Sequence, residues 1–181
     1  MQGTHRNGKI LDVTEQRRLI VMRHAKAEPF GSTDQARELT DRGRTDAHEA
    51  GTHLAETRMR PDYVIVSPAA RATATWDAVA DACGVDPEVN TVDGVYTGGP
   101  DVILEELGLA PAEAATVMFV GHNPAASYVC HLLDDGEGDP IALHGLLKGF
   151  PPGALAVFDV DVPWSDLGPE TGTLVDFFVA G

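Results

Sequence analysis

The strongest constraint on this chain is an alternation. Apolar runs of strand length stop abruptly at polar or Gly/Pro turns, and most of the segments that follow carry apolar residues at helical spacing. Leu19-Ile-Val-Met22 reads as a buried strand within Arg18–Met22 and ends at Arg23-His24. After a loop holding Pro29 and Gly31, Thr40 is placed to cap a helix in which Ala47, Ala50, Gly51, Leu54 and Ala55 share one face, and which ends before Pro61. Tyr63–Val66 is a second buried strand; Ser67-Pro68 turns it into a helix with Ala72, Thr75, Trp76, Val79 and Cys83 on one side.

The cycle repeats. A weaker strand over Val89–Val92 leads through Gly98-Gly99-Pro100 to a short helix with Val102, Ile103 and Leu107 inward. Thr116–Val120 is a strongly apolar strand, Gly121-His122-Asn123-Pro124 a turn, and Ala125–Leu133 a helix that Pro124 helps to start. Residues 134–152 read as a loop, acidic over Asp134–Asp139, and Ala154–Val160 and Thr173–Val179 as two last strands. The expectation is a three-layer α/β/α domain over 18–181, built on a mainly parallel sheet of about six strands with an antiparallel strand at its margin.

Residues 1–17 are polar, without the apolar stretch of a signal peptide, and are expected to be a flexible N-terminal extension. No apolar run approaches membrane-spanning length, so a cytoplasmic protein with no membrane partner is expected. Cys83 and Cys130 fall in helical stripes without metal-ligand spacing and are expected as reduced, buried thiols. The formal charge is −15, and after Arg71 the sole cation is Lys148, so no basic stripe could follow a nucleic-acid backbone. A phosphorylated ligand is repelled at long range by such a chain. Any phosphate site must therefore rest on a few arginines held close together.

In a sheet of this kind ligands bind beyond the carboxyl ends of the strands. Three strand ends there carry Arg23-His24, Ser67-Pro68-Ala69-Ala70-Arg71 and Gly121-His122-Asn123-Pro124. Guanidinium groups match phosphoryl oxygens in pairs, and imidazole serves as nucleophile or donor near neutrality. Two arginines and two histidines on one rim make a phosphoryl-transfer constellation. A lone histidine at a strand end is more often structural; the conjunction is what argues for catalysis.

Arg23-His24-Ala25-Lys26-Ala27-Glu28 resembles the Arg-His-Gly signature of the histidine phosphatase superfamily, whose fold is phosphoglycerate mutase-like, in the variant of its SixA-like phosphohistidine phosphatase branch. Leu39-Thr40-Asp41-Arg42-Gly43-Arg44, Ser67-Pro68 with Arg71 and Thr75, Tyr96, and Gly121-His122-Asn123-Pro124 follow in family order, over roughly residues 18–160. The resemblance implies a metal-independent, cofactor-free phosphatase in which His24 carries the phosphoryl group. Arg23 and Arg71 hold its oxygens, His122 donates to it, Asn123 positions it or closes the pocket, and Lys26 and Arg42 sit at the rim. Ser67 is a turn device that also reaches the pocket. Ala25 stands where the commoner signature has glycine.

The proton donor is open: Asp101, Glu105 and Glu28 are the candidates. Because an imidazole leaving group has a reference pKa of about 6.5, a missing strong acid favours P–N over P–O substrates, a phosphohistidine protein among them. The competing reading is a non-catalytic phospholigand-binding or regulatory module; a mutase is disfavoured for want of a large cover over the site. His48, His53 and His131 are read as surface or core-edge residues, His5 lies in the tail, and His144 is in a loop able to drape over the pocket. Trp76 and Trp164 are read as packing residues.

Overall fold

A strand that is apolar at every position needs cover on both faces, and Leu19–Met22 receive it. In the computed structural model, which describes residues 16–181, these four residues form the middle of β1 (Arg17–Arg23) and are fully buried. Strand alternation sends Leu19 and Val21 into one apolar layer and Ile20 and Met22 into the other. Complete burial of side chains this size contributes roughly 1.5–3 kcal/mol each.

The other strands are β2 (Tyr63–Val66), β3 (Glu88–Thr91), β4 (Thr116–Gly121), β5 (Leu155–Val160) and β6 (Gly172–Phe178), in the sheet order β3-β2-β4-β1-β5-β6. Strands β1 to β4 run parallel, and β5 is antiparallel to both β1 and β6. The mainly parallel α/β sheet expected from the alternation is thus the observed one. At one edge β3 is exposed along its length and bears Glu88 and Asn90, which blunts an edge that could otherwise pair with another chain.

Helices α1 (Asp41–Glu56) and α2 (Ala70–Cys83) cover one face; α4 (Pro100–Gly108), α5 (Ala125–Leu133) and α6 (Pro140–Lys148) cover the other, and α3 (Gly94–Thr97) is a single turn. Thr40 caps α1 by accepting from the Gly43 amide, and Ala47, Ala50, Gly51 and Leu54 face inward as their spacing predicts. At the α1–α2 contact a Cβ on Gly51 would lie 2.4 Å from the Val79 carbonyl oxygen, so only glycine permits this approach.

The connections place the site. The chain leaves β1 toward the α1 face and leaves β4 toward the α5 face, although β1 and β4 are neighbours. A crevice opens where adjacent strands send their connections to opposite sides.

Two expectations need correction. Residues 140–148 are helix α6, not loop: Asp139 accepts from the Ile141 and Ala142 amides with Pro140 at the first turn, a legible cap. Exposed Ile141 and Leu147, with Gly145 inside, hid the helical period. The expected extension over 1–17 also runs too far, because Arg17 already pairs with Val160 in the sheet; its residues 1–15 lie outside the described residues. Among the described residues, no helix is long and apolar enough to cross a membrane. Cys83 and Cys130 are buried free thiols, and buried Trp164 donates its indole N–H to the Ala114 carbonyl at 2.9 Å.

Candidate active site

Backbone hydrogen bonds fix three strand ends against each other. Arg23 lies level with Gly121, the His24 amide donates to the Gly121 carbonyl at 2.8 Å, and the Ser67 amide donates to the Val120 carbonyl at 3.1 Å. The rim residues singled out from the sequence are therefore placed by the sheet rather than by flexible loops. The imidazoles of His24 and His122 face one another with ring centroids 5.1 Å apart.

His24 is oriented at both ring nitrogens. Its Nδ1 lies 2.7 Å from the Ala25 carbonyl oxygen, which can only accept, so Nδ1 carries the proton and Nε2 holds the lone pair. Toward that lone pair Arg71 Nε donates at 3.3 Å. Burial first, and then the charges of Arg71, Arg23 and Arg37, push the His24 pKa down to about 4 against the pull of the Ala25 carbonyl. A neutral imidazole whose lone pair is turned toward a guanidinium has the chemistry to act as a nucleophile.

Arg71 is buried in the first turn of α2. Its backbone carbonyl accepts from the Thr75 hydroxyl at 2.6 Å, and that hydroxyl accepts from the Ala25 amide at 3.0 Å, so α2 and the segment after β1 are pinned together. The same segment is clamped from α1. Thr40 donates its amide to the Lys26 carbonyl at 3.0 Å, and a Cβ on Gly43 would fall 2.0 Å from that oxygen. This explains the Leu-Thr-Asp-Arg-Gly run: it packs the first turn of α1 on the backbone beside His24.

His122 accepts from or donates to the fully buried Ser67 hydroxyl through Nε2 at 2.7 Å, and its pKa is pushed down to about 3 by burial, then by His24 and Arg71. His122 Nδ1 and Arg23 Nε are buried without a hydrogen-bond partner, and burial lowers the pKa of Arg23. Orphaned polar atoms are rare in folded proteins; besides Arg17 Nε on β1 these are the ones among the described residues, and each can bond an oxygen. Arg23 Nη1 and the Asn123 side-chain amide both donate to the Phe150 carbonyl, at 3.0 and 2.9 Å. Asn123 also accepts from the Ser127 amide at 3.3 Å, so its side chain is committed to tying the turn after β4 to residue 150.

Other candidates stay outside this cluster. Lys26 and Glu28 are exposed and contribute backbone groups only, and Asp101 and Glu105 lie exposed on α4 without a bond to either arginine or histidine. Arg42 is paired with Asp46 and the Gly181 carbonyl and bonds neither histidine nor either arginine of the cluster. His144 sits exposed on α6 and lines a hollow of about 430 Å³ with Lys148, Gly149 and Phe177, a lining that includes neither His24 nor His122.

The carboxylate that does reach the cluster is Asp34, which sequence reasoning missed. Arg71 donates through Nη1 to the Asp34 carbonyl at 2.7 Å and through Nη2 to its carboxylate at 3.1 Å. The Tyr96 hydroxyl donates to the same carboxylate oxygen at 2.7 Å, and Arg37 to the other at 2.9 Å. Inspecting residues next to strand ends could not find Asp34, which arrives on the loop between residues 28 and 38. The Asp34-x-x-Arg37 pair was the available signal.

Comparison with known proteins gives this geometry a family. Residues 19–93 match the model of the histidine phosphatase superfamily, branch 1. The chain superimposes on a protein assigned as phosphohistidine phosphatase SixA from Nakamurella multipartitia with a TM-score of 0.80 and 32% identity, over 91% of this chain and 96% of the other. A second protein so assigned, from Agrobacterium tumefaciens, gives 0.74 and 28% over 90% and 97%. A Mycobacterium tuberculosis protein of uncharacterized function is 32% identical over 160 residues, covering 87% of this chain and 99% of that one. With the fold, the rim and these likenesses in agreement, the chain belongs to the histidine phosphatase superfamily, in its SixA-like branch.

Proposed function

We propose that this phosphatase works through a covalent phosphohistidine on His24, without a metal ion, and that phosphoramidates, protein phosphohistidine among them, are its preferred substrates. The observation that carries the reading is the fixed tautomer of His24: Nδ1 is tied to the Ala25 carbonyl, and Nε2 is presented to the Arg71 guanidinium. A phosphoryl group seated there meets Arg71 and Arg23, and its remaining oxygens supply the partner that buried His122 Nδ1 and Arg23 Nε lack.

Attack by Nε2 forms the N–P bond as the bond to the leaving group breaks in line, and water then displaces His24 from phosphorus. Cationic side chains stabilise the charge on the equatorial oxygens, the part a divalent ion plays elsewhere. His122, with the Ser67 hydroxyl at Nε2, offers Nδ1–H to one of those oxygens. The leaving-group preference follows from the carboxylates. Asp34 is hydrogen-bonded to donors that hold it ionised, so it has no proton to give at neutral pH. An imidazole leaves without strong acid assistance and an alkoxide does not. That two solved proteins resembling this chain are assigned as phosphohistidine phosphatases supports the same reading here.

Hydrolysis of phosphohistidine and of a sugar phosphate, measured with a chelator present, tests this reading. The expected result is a kcat/KM at least about 100-fold higher on phosphohistidine, unchanged by the chelator and lost in His24→Asn. A reversed ranking, or loss of activity with the chelator, overturns it. Binding of both compounds without turnover favours the non-catalytic module instead.

A further inference from the structure

We propose that Asp34 is a specificity-determining residue: its fixed negative charge at the mouth of the site selects leaving groups that present a protonated nitrogen and rejects those that depart as anions. The inference rests on the phosphatase reading above and names a residue for its substrate preference.

The placement of Asp34 is over-determined. The loop that carries it is closed at its neck by a bridge between Ala27 and Leu39, and its far end is tied to α2, where the Ala70 amide donates to the Gln35 carbonyl at 2.9 Å. Arg71 grips both the backbone and the side chain of Asp34, and Arg37 holds the second carboxylate oxygen. Tyr96 reaches it from α3, while the Tyr96 ring stands edge-on to His122 with centroids 5.5 Å apart. The Asp34–Tyr96 hydrogen bond therefore bridges the two halves of the rim, and a single guanidinium group separates the carboxylate from His24 Nε2.

The carboxylate there is paired with the Arg37 and Arg71 guanidinium groups, which keep it ionised, and it is open to a ligand. The Tyr96 hydroxyl, then Arg37 and Arg71, hold Asp34 well below the ordinary carboxylate range, yet its side chain is 58% exposed. Beside it lies a hollow of about 230 Å³ bounded by Pro29, Phe30, Gly31, Thr33, Asp34 and Arg37, with the Phe30 ring 87% exposed. On this proposal a phosphoryl group bound by Arg71 directs its leaving group toward this hollow, which Asp34 lines, and there an imidazole can lie against Phe30 and point its ring N–H at Asp34.

The chemistry balances without a proton from the protein. Phosphohistidine reacts in the form whose distal ring nitrogen already holds a proton. As His24 Nε2 bonds to phosphorus, the P–N electron pair returns to the ring, and neutral imidazole leaves with that proton in place. A carboxylate facing the distal N–H favours the protonated, reactive form through a charge-assisted hydrogen bond. The same carboxylate opposes a phenolate or alkoxide, whose departing charge has the same sign.

The experiment is the ratio of kcat/KM for phosphohistidine to that for p-nitrophenyl phosphate in wild type, Asp34→Asn and Asp34→Glu. Asparagine keeps an acceptor for Arg71 and Tyr96 but removes the charge, so the ratio is expected to fall by about tenfold, the difference between a charged and a neutral acceptor. Glutamate keeps the charge and is expected to hold the ratio within about threefold of wild type. If Asp34→Asn lowers both substrates equally, Asp34 only braces Arg71 and the proposal falls; it also falls if the two variants share one ratio. Should Asp34→Asn prove unstable, Tyr96→Phe, which removes a donor and keeps the charge, must leave the ratio unchanged, and a tenfold drop in it refutes a role for charge. Failure of wild type to turn over either substrate would instead refute the phosphatase reading beneath the proposal.

Discussion

Replacing His24 with asparagine should flatten the acid side of the stability profile. In the folded chain His24 titrates at about 4 against 6.5 for an ordinary histidine, chiefly because it is buried and secondarily because Arg71, Arg23 and Arg37 surround it. Above pH 6.5 the ring is neutral in folded and unfolded chains alike, and its titration takes nothing from stability. As pH falls below 6.5 only the unfolded chain takes up the proton, so stability drops by about 1.4 kcal/mol per pH unit and the loss reaches about 3 kcal/mol near pH 4. His122, pushed down to about 3, adds a second proton over the same range. Asp34 acts in another window: its pKa is depressed, so its contribution is full above 3.8 and is withdrawn only as pH falls below that value. Urea unfolding of wild type and His24→Asn between pH 6.5 and about 4.5 isolates the contribution of this ring. The difference between the two profiles should slope by about one proton, near 1.4 kcal/mol per unit. Parallel profiles would mean that His24 is neither buried nor surrounded by cationic groups, and the account of its environment would be wrong.

Other substitutions probe the supports of the site. Ser67→Ala leaves His122 Nε2 without its 2.7 Å partner in a buried place and should cost about 1–3 kcal/mol in unfolding free energy, with phosphatase kcat/KM reduced roughly 10- to 100-fold. Gly43→Ala forces a methyl into the Lys26 carbonyl and should destabilise by about 3 kcal/mol, whereas Gly99→Ala, with nothing within 4 Å, should stay within about 1 kcal/mol in the same denaturant titration. Leu54→Ala opens a cavity under α1 and should cost about 2–5 kcal/mol while leaving KM near wild type. Asp101→Asn and Glu105→Gln, exposed on α4 and without a hydrogen bond to either histidine, should keep kcat on phosphohistidine within about twofold; a larger fall in either would support it as a proton donor.

What could be read from the sequence followed from how physics writes to it. A strand covered on both faces must be apolar throughout, so β1, β2 and β4 stood out, and the residues just beyond them were automatically at the rim. Arg23, His24, Ser67, Arg71 and His122 were found this way because strand ends are fixed points of a parallel sheet. Helix α6 was lost for the converse reason: exposed Ile141 and Leu147 break its period, and only its Asp139-Pro140 cap spoke for it. Asp34 and Arg37 lie in a loop with no periodicity, and their link to Arg71 exists only once the 28–38 loop folds back on α2. The part assigned to Asn123 was likewise beyond the sequence, since nothing in Gly-His-Asn-Pro reveals that its amide is committed to Phe150. The carboxylates named from the sequence, Asp101 and Glu105 on α4 and Glu28 after β1, are not the one hydrogen-bonded to Arg71, because chain order does not disclose which acid the fold brings to an arginine.

The covalent role of His24 can be measured directly by quenching a single turnover on labelled phosphohistidine within milliseconds and mapping the phosphorylated residue. An acid-labile, base-stable phosphoryl group on His24 that forms and decays at rates compatible with turnover is the expected result. Turnover with no labelled protein, or a label that persists in His24→Asn, would contradict it.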